Sequence, residues 1–352
     1  MIASGKPLEF CRNDGMYLKD IQDQKTWDTF VSENGPRSGR FLQMWDWGEF
    51  QQSVGRKVIR VGFVEEEELV AVAQCILFSL PVGKRYLYCP RGPILESEFV
   101  QPASDLDEGF ELLKKRERVA FIRFEPSFEP SVFLRPKPVH ATIHLHPTHT
   151  LLLNLSPSQE ELFANFHQKT RYNIRLAQRH GVQIHCSSDP KALVSVWPLF
   201  EQTAKRGKFQ LHEQAYYARM LETLSKEKNV HAFLTIASYQ DQPVAATMSI
   251  DCAGTRTYLH GASSDSFRHI MAPYLLHWQL IEAARAHAMD WYDWWGIMPE
   301  DAASDHEWSG ITRFKKGFGG ELVIYPGTYD YVFNPFGYKI YKMLREWRRK
   351  GK

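Results

Sequence analysis

The segment Gly310–Leu322, GITRFKKGFGGEL, sets an aromatic residue and two lysines, Phe314, Lys315 and Lys316, beside a run of glycines. An ammonium group fixed in a pocket can stabilise negative charge that develops on a substrate oxygen. The glycines would let a bulky ligand approach the backbone closely. The same pattern is also typical of a solvated turn after a strand, with the lysines pointing into water. If the segment is a strand, only one lysine can face a pocket.

Two tyrosines stand at equivalent places in two similar stretches, Tyr88 in YLYCPRGPIL and Tyr258 in YLHGASSD. Arg91 follows Tyr88 on a turn rich in proline and glycine. Arginine and tyrosine side chains can hold phosphate oxygens. Arg91 can equally decorate a rigid turn, and Tyr258 can be a packed aromatic residue whose hydroxyl bonds to the backbone. Both interpretations stay open from the residues alone.

A third candidate group lies in TAKRGKFQLHEQAYYARML, where a loop enters a helix and carries Arg206, His212, Tyr216 and Tyr217. A capped surface helix would have the same appearance. The histidines at 140, 144, 146 and 149 are unevenly spaced, and no further ligands stand at a metal-binding spacing. We therefore expect neither a metal nor any other cofactor.

Composition describes an ordinary globular chain. The protein has 352 residues, of which 43% are hydrophobic and 24% charged, and its formal net charge is +2. A chain of this length predicts two domains of about 150 to 180 residues. The five cysteines include no C-x-x-C pair, and the N-terminus lacks the apolar core of a signal peptide. We expect a cytoplasmic protein that could still contact the inner face of the membrane, and a monomer.

The chain repeats one order of predicted elements. The apolar segments 68–78 and 84–95 precede a helical segment and a strand at 120–126, and the segments 242–252 and 255–265 precede a helical segment and a strand at 289–297. Strands that alternate with helices in this way predict a mixed sheet in each half. A capping-box spacing at Ser158 and Glu161 and a proline at Pro273 mark two helix starts.

The domain break is predicted in the proline-rich stretch 133–150. The domains are then 1–148, completed by 321–352, and 149–320. The last segment ends in an amphipathic helix with Ile340, Tyr341, Leu344 and Trp347 on one side and basic residues on the other. We expect this tail to pack against the first domain, because it lies outside the second repeat.

Seven segments in order along the chain resemble the peptidoglycan bridge-forming, tRNA-dependent aminoacyltransferases of the FemABX family. They are FLQMWDWGEFQQSVGRKV (41–58), YLYCPRGPIL (86–95), KTRYNIRLAQRHGV (169–182), TAKRGKFQLHEQAYYARML (203–221), YLHGASSDSFRHIMAPYLLHWQLI (258–281), YDWWGIMPED (292–301) and GITRFKKGFGGE (310–321). The resemblance implies an α/β (α+β) fold of two tandem GNAT-like acyltransferase domains. Because nothing between Lys169 and Asn229 sustains long heptads, the chain resembles the members without a coiled-coil arm, which are FemX-like.

The resemblance also implies an activity, the transfer of an amino acid from aminoacyl-tRNA to the side-chain amine of a peptidoglycan precursor. The acceptor is a UDP-linked or lipid-linked muropeptide. The matching segment makes Lys315 the candidate that stabilises the oxyanion, with Phe314 walling the pocket.

Tyr88, Arg91, Arg206, Tyr216 and Tyr258 are the candidate substrate-binding residues for this activity, although His212 stands where the family pattern suggests an arginine. Glu96 is the candidate proton acceptor for the attacking ammonium, a role that water or the substrate could also fill.

An aminoacyl-tRNA partner requires cationic surface, for which KTRYNIRLAQRH (169–180) and the terminal REWRRKGK are candidates. Two other functions stay open. An acyl-CoA-dependent N-acyltransferase would have a glycine-rich turn before a helix, but the corresponding segment RHIMAPYLL has no glycine, and Pro273 lacks an amide donor. A non-catalytic scaffold that binds RNA or a muropeptide is the second alternative.

Overall fold

The computed structural model describes residues 17–80, 83–96, 104–130, 134, 137–141, 144–225, 228–303 and 305–350. Parts of the predicted linker at 133–150 and the side chains of the predicted RNA-binding residues after Arg345 lie outside what is described. The strands are β1 (Tyr17–Asp20), β2 (Lys57–Glu65), β3 (Glu68–Ser79), β4 (Arg85–Cys89), β5 (Ile94–Leu95), β6 (Phe121–Phe124), β7 (Val139–His140), β8 (His149–Asn154), β9 (Gln183–Ser187), β10 (Val230–Tyr239), β11 (Gln242–Cys252), β12 (Thr255–Ser263), β13 (Trp291–Gly296), β14 (Glu321–Ile324) and β15 (Tyr329–Val332). The helices are α1 (Gln24–Asn34), α2 (Trp45–Ser53), α3 (Ser104–Glu117), α4 (Gln159–Asn165), α5 (Gln168–Arg179), α6 (Ala192–Gly207), α7 (Gln214–Thr223), α8 (Ala272–Ala286), α9 (Ser309–Lys316) and α10 (Pro335–Lys350).

The chain forms two compact units, one of residues 1–36, 42–146 and 325–352 and the other of residues 37–41 and 147–324. The predicted domains are 1–148 completed by 321–352, and 149–320. That these two parts fold as independent domains stays a proposal. Among the described residues, no helix is both long and apolar enough to span a membrane.

The first unit is built on a mixed sheet with the strand order β1-β2-β3-β4-β6-β15-β7, and β5 pairs with β3 beside it. Only β4 and β6 run parallel among its described pairs, and α3 lies between them in the chain. The second unit has the order β14-β8-β13-β12-β11-β10-β9, with β12 and β13 parallel and α8 between them in the chain. Both units therefore contain the predicted order of strand, strand, helix, strand, and both sheets are mixed as predicted.

The local helix signals are confirmed. Ser158 caps α4, and its side chain and that of Glu161 form the predicted reciprocal capping box. Pro273 stands in the first turn of α8, where a missing amide donor costs no intrahelical bond. These two helices border the sheet that carries the candidate site.

The segment from Ser309 to Lys316 differs from the strand-and-turn alternative, because it is the helix α9. Only after it does the chain turn sharply, at Gly319 and Gly320, whose φ angles of 82° and 118° favour glycine. In a helix, successive side chains point about 100° apart, so Lys315 and Lys316 leave α9 in different directions.

A buried ion pair connects the sheet of the first unit to its C-terminal helix. Arg123 on β6 donates two hydrogen bonds of 2.8 Å to Asp330, its register partner on β15. Both residues are almost wholly buried, with 2% and 0% of their surfaces exposed. The Tyr338 hydroxyl of α10 also donates to Asp330, at 2.5 Å. The pair therefore fixes β6, β15 and α10 together.

Replacing Arg123 by leucine should destabilise the first unit strongly, because Asp330 would keep a buried charge without its main partner. We expect a loss of about 3 to 5 kcal/mol in the free energy of unfolding. Removal of both charges, in Arg123→Leu/Asp330→Leu, should cost less. Arg219→Gln is the control, since Arg219 and Glu222 pair at an exposed site, and it should cost less than about 1 kcal/mol. Urea denaturation followed by circular dichroism measures all three, and equal losses for Arg123→Leu and Arg219→Gln would contradict this account.

Candidate functional site

The second unit contains a cavity of about 590 Å³. Strands β11 and β12 form one side of it, and α6, α8 and α9 contribute the others. Small residues, among them Ala245, Ala246 and Gly261, leave the room on the sheet side. The cavity thus has the size and the largely apolar lining of a small-molecule site.

Helix α9 places Phe314 in the wall of this cavity and Lys315 behind the wall. Lys315 is only 5% exposed. Its Nζ donates a 2.6 Å hydrogen bond to the Gly296 carbonyl at the end of β13 and lies 5.1 Å from the centre of the Tyr258 ring. Tyr258 itself lines the cavity. The amine therefore lies against a ring that forms part of the cavity wall.

The neighbouring lysine has a different environment. The Lys316 side chain is 49% exposed, and its Nζ lies 3.7 Å from Glu300 Oε1. The alternative that the lysines point into water is therefore wrong for Lys315, whereas it describes Lys316 well. The two residues form a natural pair for comparison.

Burial makes the ammonium group of Lys315 easier to deprotonate. Desolvation lowers its pKa to about 7, although the charge of Asp293 acts in the opposite direction. The same surroundings act on His277 of α8, whose pKa is lowered to about 3 by burial and then by the charge of Lys315. His277 is therefore neutral at physiological pH, and its Nδ1 lies 2.7 Å from the Tyr292 hydroxyl.

The position of the Tyr258 ring requires that residue 261 has no side chain. A methyl group added at Gly261 would overlap the Tyr258 hydroxyl and its ring. The ring also meets His277 edge to face, with centres 4.4 Å apart. Burial raises the pKa of the Tyr258 hydroxyl. Tyr258 is thus fixed between the cavity, His277 and the amine of Lys315.

Asp293 lies in the buried layer near Lys315 and supports the end of β13. Its carboxylate accepts hydrogen bonds from Ser38 Oγ at 2.7 Å, Thr150 Oγ1 at 2.6 Å and the Trp295 amide at 2.9 Å. It is wholly buried.

Of the predicted substrate-binding residues, Arg206 lines the same cavity as Tyr258 and Phe314. Its guanidinium donates to Asp265 Oδ1 at 2.5 Å, and the exposed Arg268 donates to the same oxygen. Tyr216 is not among the lining residues of the described cavities. Its ring stacks on His212 with centres 4.1 Å apart. The structure thus brings Arg206, Tyr258 and Phe314 together.

Tyr88 and Arg91 lie in the first unit and are enclosed there. The Tyr88 hydroxyl donates to Glu125 Oε2 at 2.7 Å and lies 2.7 Å from His146 Nδ1. Burial alone would raise the pKa of Glu125, but the charge and hydrogen bond of His146 hold it well below its usual range. Arg91 is 2% exposed and stacks 4.0 Å from the Tyr325 ring centre.

Glu96, the candidate proton acceptor, is exposed in the same unit. Its role, like the roles of the other predicted site residues, stays a prediction. Sequence reasoning missed His277, although a histidine beside Leu276 and Leu280 on the apolar face of α8 is an available signal.

Comparisons with known proteins agree on family and fold. A family model described as "FemAB family" matches residues 23–134, 138–239 and 224–346. A lipid II:glycine glycyltransferase of Staphylococcus aureus strain MRSA252 is 21% identical, and the alignment covers 92% of this chain and 95% of that protein.

Two solved structures are similar over most of the chain. The crystal structure of FemX has a TM-score of 0.75 at 18% identity and covers 91% of this chain and 98% of that one. A tandem GNAT protein from the clavulanic acid biosynthesis pathway has a TM-score of 0.55 at 12% identity, with coverage of 90% and 98%. The predicted tandem GNAT fold is thereby confirmed.

The free protein should contain one lysine that titrates near pH 7, because burial lowers the pKa of Lys315 to that value. Lysines in water titrate near pH 10.4. NMR of protein labelled with ¹³C at the lysine Cε positions measures this, and the Lys315→Arg variant should lack the early signal. The finding that every lysine titrates near pH 10 would contradict the burial described here.

Proposed function

Since the chain belongs to the FemAB family, we propose that it is a tRNA-dependent aminoacyltransferase of peptidoglycan synthesis. It transfers an amino acid from aminoacyl-tRNA to the side-chain amine of the stem peptide, the reaction that begins an interpeptide bridge. The observation that carries this proposal is the buried amine of Lys315 behind the aromatic wall of a cavity in the second unit. The family match and the glycyltransferase relative support the same activity.

The acceptor we propose is a lipid-linked muropeptide. The relative in Staphylococcus aureus is named for its action on lipid II, and the alignment covers nearly the whole of both chains. A UDP-linked muropeptide is the second candidate, because it presents the same peptide next to a pyrophosphate. Arg91 and Tyr88 remain the proposed contacts for that pyrophosphate.

The chemistry needs no covalent intermediate, because the ester of aminoacyl-tRNA is already activated. The acceptor amine attacks the ester carbonyl carbon, the bond from that carbon to the ribose oxygen breaks, and the ribose oxygen takes up a proton. The attacking nitrogen loses a proton to Glu96, to water or to the substrate itself. What the protein must supply is alignment and a partner for the oxyanion.

Lys315 is the proposed partner for the oxyanion. Its amine lies in a nearly dry environment, where an electrostatic interaction is much stronger than in water. The free ammonium is destabilised there, as its pKa of about 7 indicates. An oxygen that gains negative charge nearby would stabilise the charged form, so the interaction strengthens as the transition state forms.

The cavity suits the esterified end of a tRNA. The aromatic side chains of Tyr258 and Phe314 line its buried part, while Arg206 and Arg268 are more exposed parts of its lining. Aromatic faces stack on bases and arginines pair with phosphates. We propose that the terminal nucleotide lies across this lining, with its ester directed towards Lys315.

Coenzyme A is a weaker candidate for the acyl donor. The N-terminus of α8 follows Met271, which has a left-handed backbone conformation, and Pro273 removes one amide donor from the first turn. A pyrophosphate site of the usual kind needs these amides. An assay with acetyl-CoA in place of aminoacyl-tRNA tests this alternative.

The proposed function is tested by incubating the purified protein with a set of charged tRNAs and with lipid-linked or UDP-linked pentapeptide. Mass spectrometry of the peptide should show the added mass of one amino acid. Transfer from acetyl-CoA alone would favour the N-acyltransferase alternative. Binding of tRNA or muropeptide with no product from any donor would favour the non-catalytic scaffold.

Lys315→Met should lower kcat/KM for aminoacyl transfer by about a hundredfold or more, because loss of an oxyanion-stabilising group typically has that effect. Methionine keeps the volume of the side chain and removes its charge. Lys316→Met is the matched control and should change the rate by less than about threefold, since exposed side chains contribute little. Similar rates for the two variants would remove Lys315 from the mechanism.

Gly261→Ala should lower the transfer rate by about tenfold to a hundredfold, because the added methyl displaces the Tyr258 ring and with it the alignment at the cavity. Gly337→Ala is the control on α10 of the first unit, where an added methyl makes only ordinary van der Waals contacts with Asn334, at 3.4 Å. It should leave the rate within about twofold. The account of Tyr258 fails if Gly261→Ala transfers as fast as Gly337→Ala while both remain folded.

A further inference from the structure

Helix α10 exposes an apolar stripe on the side where a surface helix normally carries polar residues. Phe336 and Met343 are 75% and 61% exposed, and the partly exposed Ile340 lies between them. The spacing of four and then three residues puts all three side chains on one face. Phe336 is the most exposed of the large hydrophobic residues that the structure describes.

A different face of α10 attaches the helix to the first unit. The rings of Tyr338 and Tyr341 pack on Phe121, with centres 5.2 Å and 5.1 Å apart. The Tyr338 hydroxyl also bonds to Asp330 of the buried ion pair. The stripe of Phe336, Ile340 and Met343 is therefore not needed to hold the helix in place.

Basic residues border the stripe on one side. Lys339 is exposed, and Lys342, three residues further on, lies on the same side of the helix, towards the Tyr338 ring, with its Nζ 5.8 Å from that ring's centre. The sequence of α10 as a whole has a strong excess of basic over acidic residues. An apolar stripe bordered by lysines is the pattern of a helix that lies in the interface of an anionic bilayer.

We propose that α10 docks this protein on an anionic lipid bilayer, with Phe336, Ile340 and Met343 inserted among the lipid headgroups and acyl chains and with Lys339 and Lys342 against the lipid phosphates. This docking does not depend on the aminoacyl transfer proposed above, and it adds a bilayer contact of the protein itself to any lipid carried by the substrate.

Two other occupants fit the observations less well. RNA binds mainly through its phosphates, which gives no reason to expose phenylalanine, isoleucine and methionine side by side. A second copy of the chain would bring the same basic residues of α10 against each other, and like charges repel. A bilayer satisfies the apolar and the basic residues together.

Sedimentation with vesicles tests the proposal on the full-length protein. The wild type should bind vesicles of phosphatidylcholine and phosphatidylglycerol in equal parts, and bind vesicles of phosphatidylcholine alone much more weakly. The Phe336→Ser/Met343→Ser variant should bind the mixed vesicles at least about tenfold more weakly, because two large apolar side chains are lost from the interface. Val194→Ser is the control at an equally exposed apolar residue on α6, and it should bind as the wild type does.

The charges are tested separately. Lys339→Gln/Lys342→Gln should weaken binding to the mixed vesicles by about fivefold for each lysine, and added salt should narrow that difference. Lys25→Gln/Lys191→Gln removes two exposed lysines elsewhere and should bind as the wild type does. The conservative Met343→Leu variant should keep full binding.

The proposal is overturned if the variant without the apolar stripe binds the mixed vesicles as well as the wild type. It is also overturned if gel filtration shows a dimer that the same variant breaks, which would assign the stripe to a second copy. Displacement of the vesicles by excess tRNA, together with loss of tRNA binding in the stripe variant, would assign it to RNA. Transfer to a soluble UDP-linked acceptor is measured alongside, so failure of docking and failure of the enzyme activity give different results.

Discussion

The burial of one amine constrains the candidate site more than any other interaction. Lys315 donates to the Gly296 carbonyl and faces the Tyr258 ring, and almost none of it reaches water. A charge in such a place is costly unless something compensates for it. The neutral His277 contributes no charge of its own, and the buried Asp293 favours the ammonium only in part. The amine is therefore ready to gain stability from an anion that forms beside it, which is the property an oxyanion partner needs.

The two units share one arrangement of strands and helices but differ in the surroundings of the equivalent tyrosine. In the first unit Tyr88, one residue before the end of β4, belongs to a buried polar network with Glu125 and His146. In the second unit Tyr258, at the equivalent place on β12, forms part of a cavity wall and faces the amine of Lys315. The repeat thus preserves the sheet and its crossover helix, while the residues that surround the equivalent tyrosine differ between the two units.

Much of the fold could be predicted because its signals are local. Short stretches of sequence predict the capping box at Ser158 and the proline at the start of α8, and the order of the predicted strands repeats along the chain. The structure confirms these three predictions. Helix α9 was harder, since it is short and glycines stand near both ends, although the spacing of Ile311, Phe314 and Phe318 is helical. The contacts of Tyr88 with Glu125 and His146 join residues that are far apart in the sequence, so no local sequence pattern predicts them.

The proposed role of the Lys315 ammonium is to neutralise the charge that develops on the carbonyl oxygen of the ester in the transition state. It is tested most directly by the titration of the Lys315 ¹³Cε signal in the presence of a phosphonate analogue of the tetrahedral intermediate, built on an aminoacyl adenosine. An opposite charge within about 4 to 6 Å should raise the pKa of Lys315 by about one to three units above its value in the free protein. A pKa that stays near 7, or falls further, while the analogue is bound would contradict the claim.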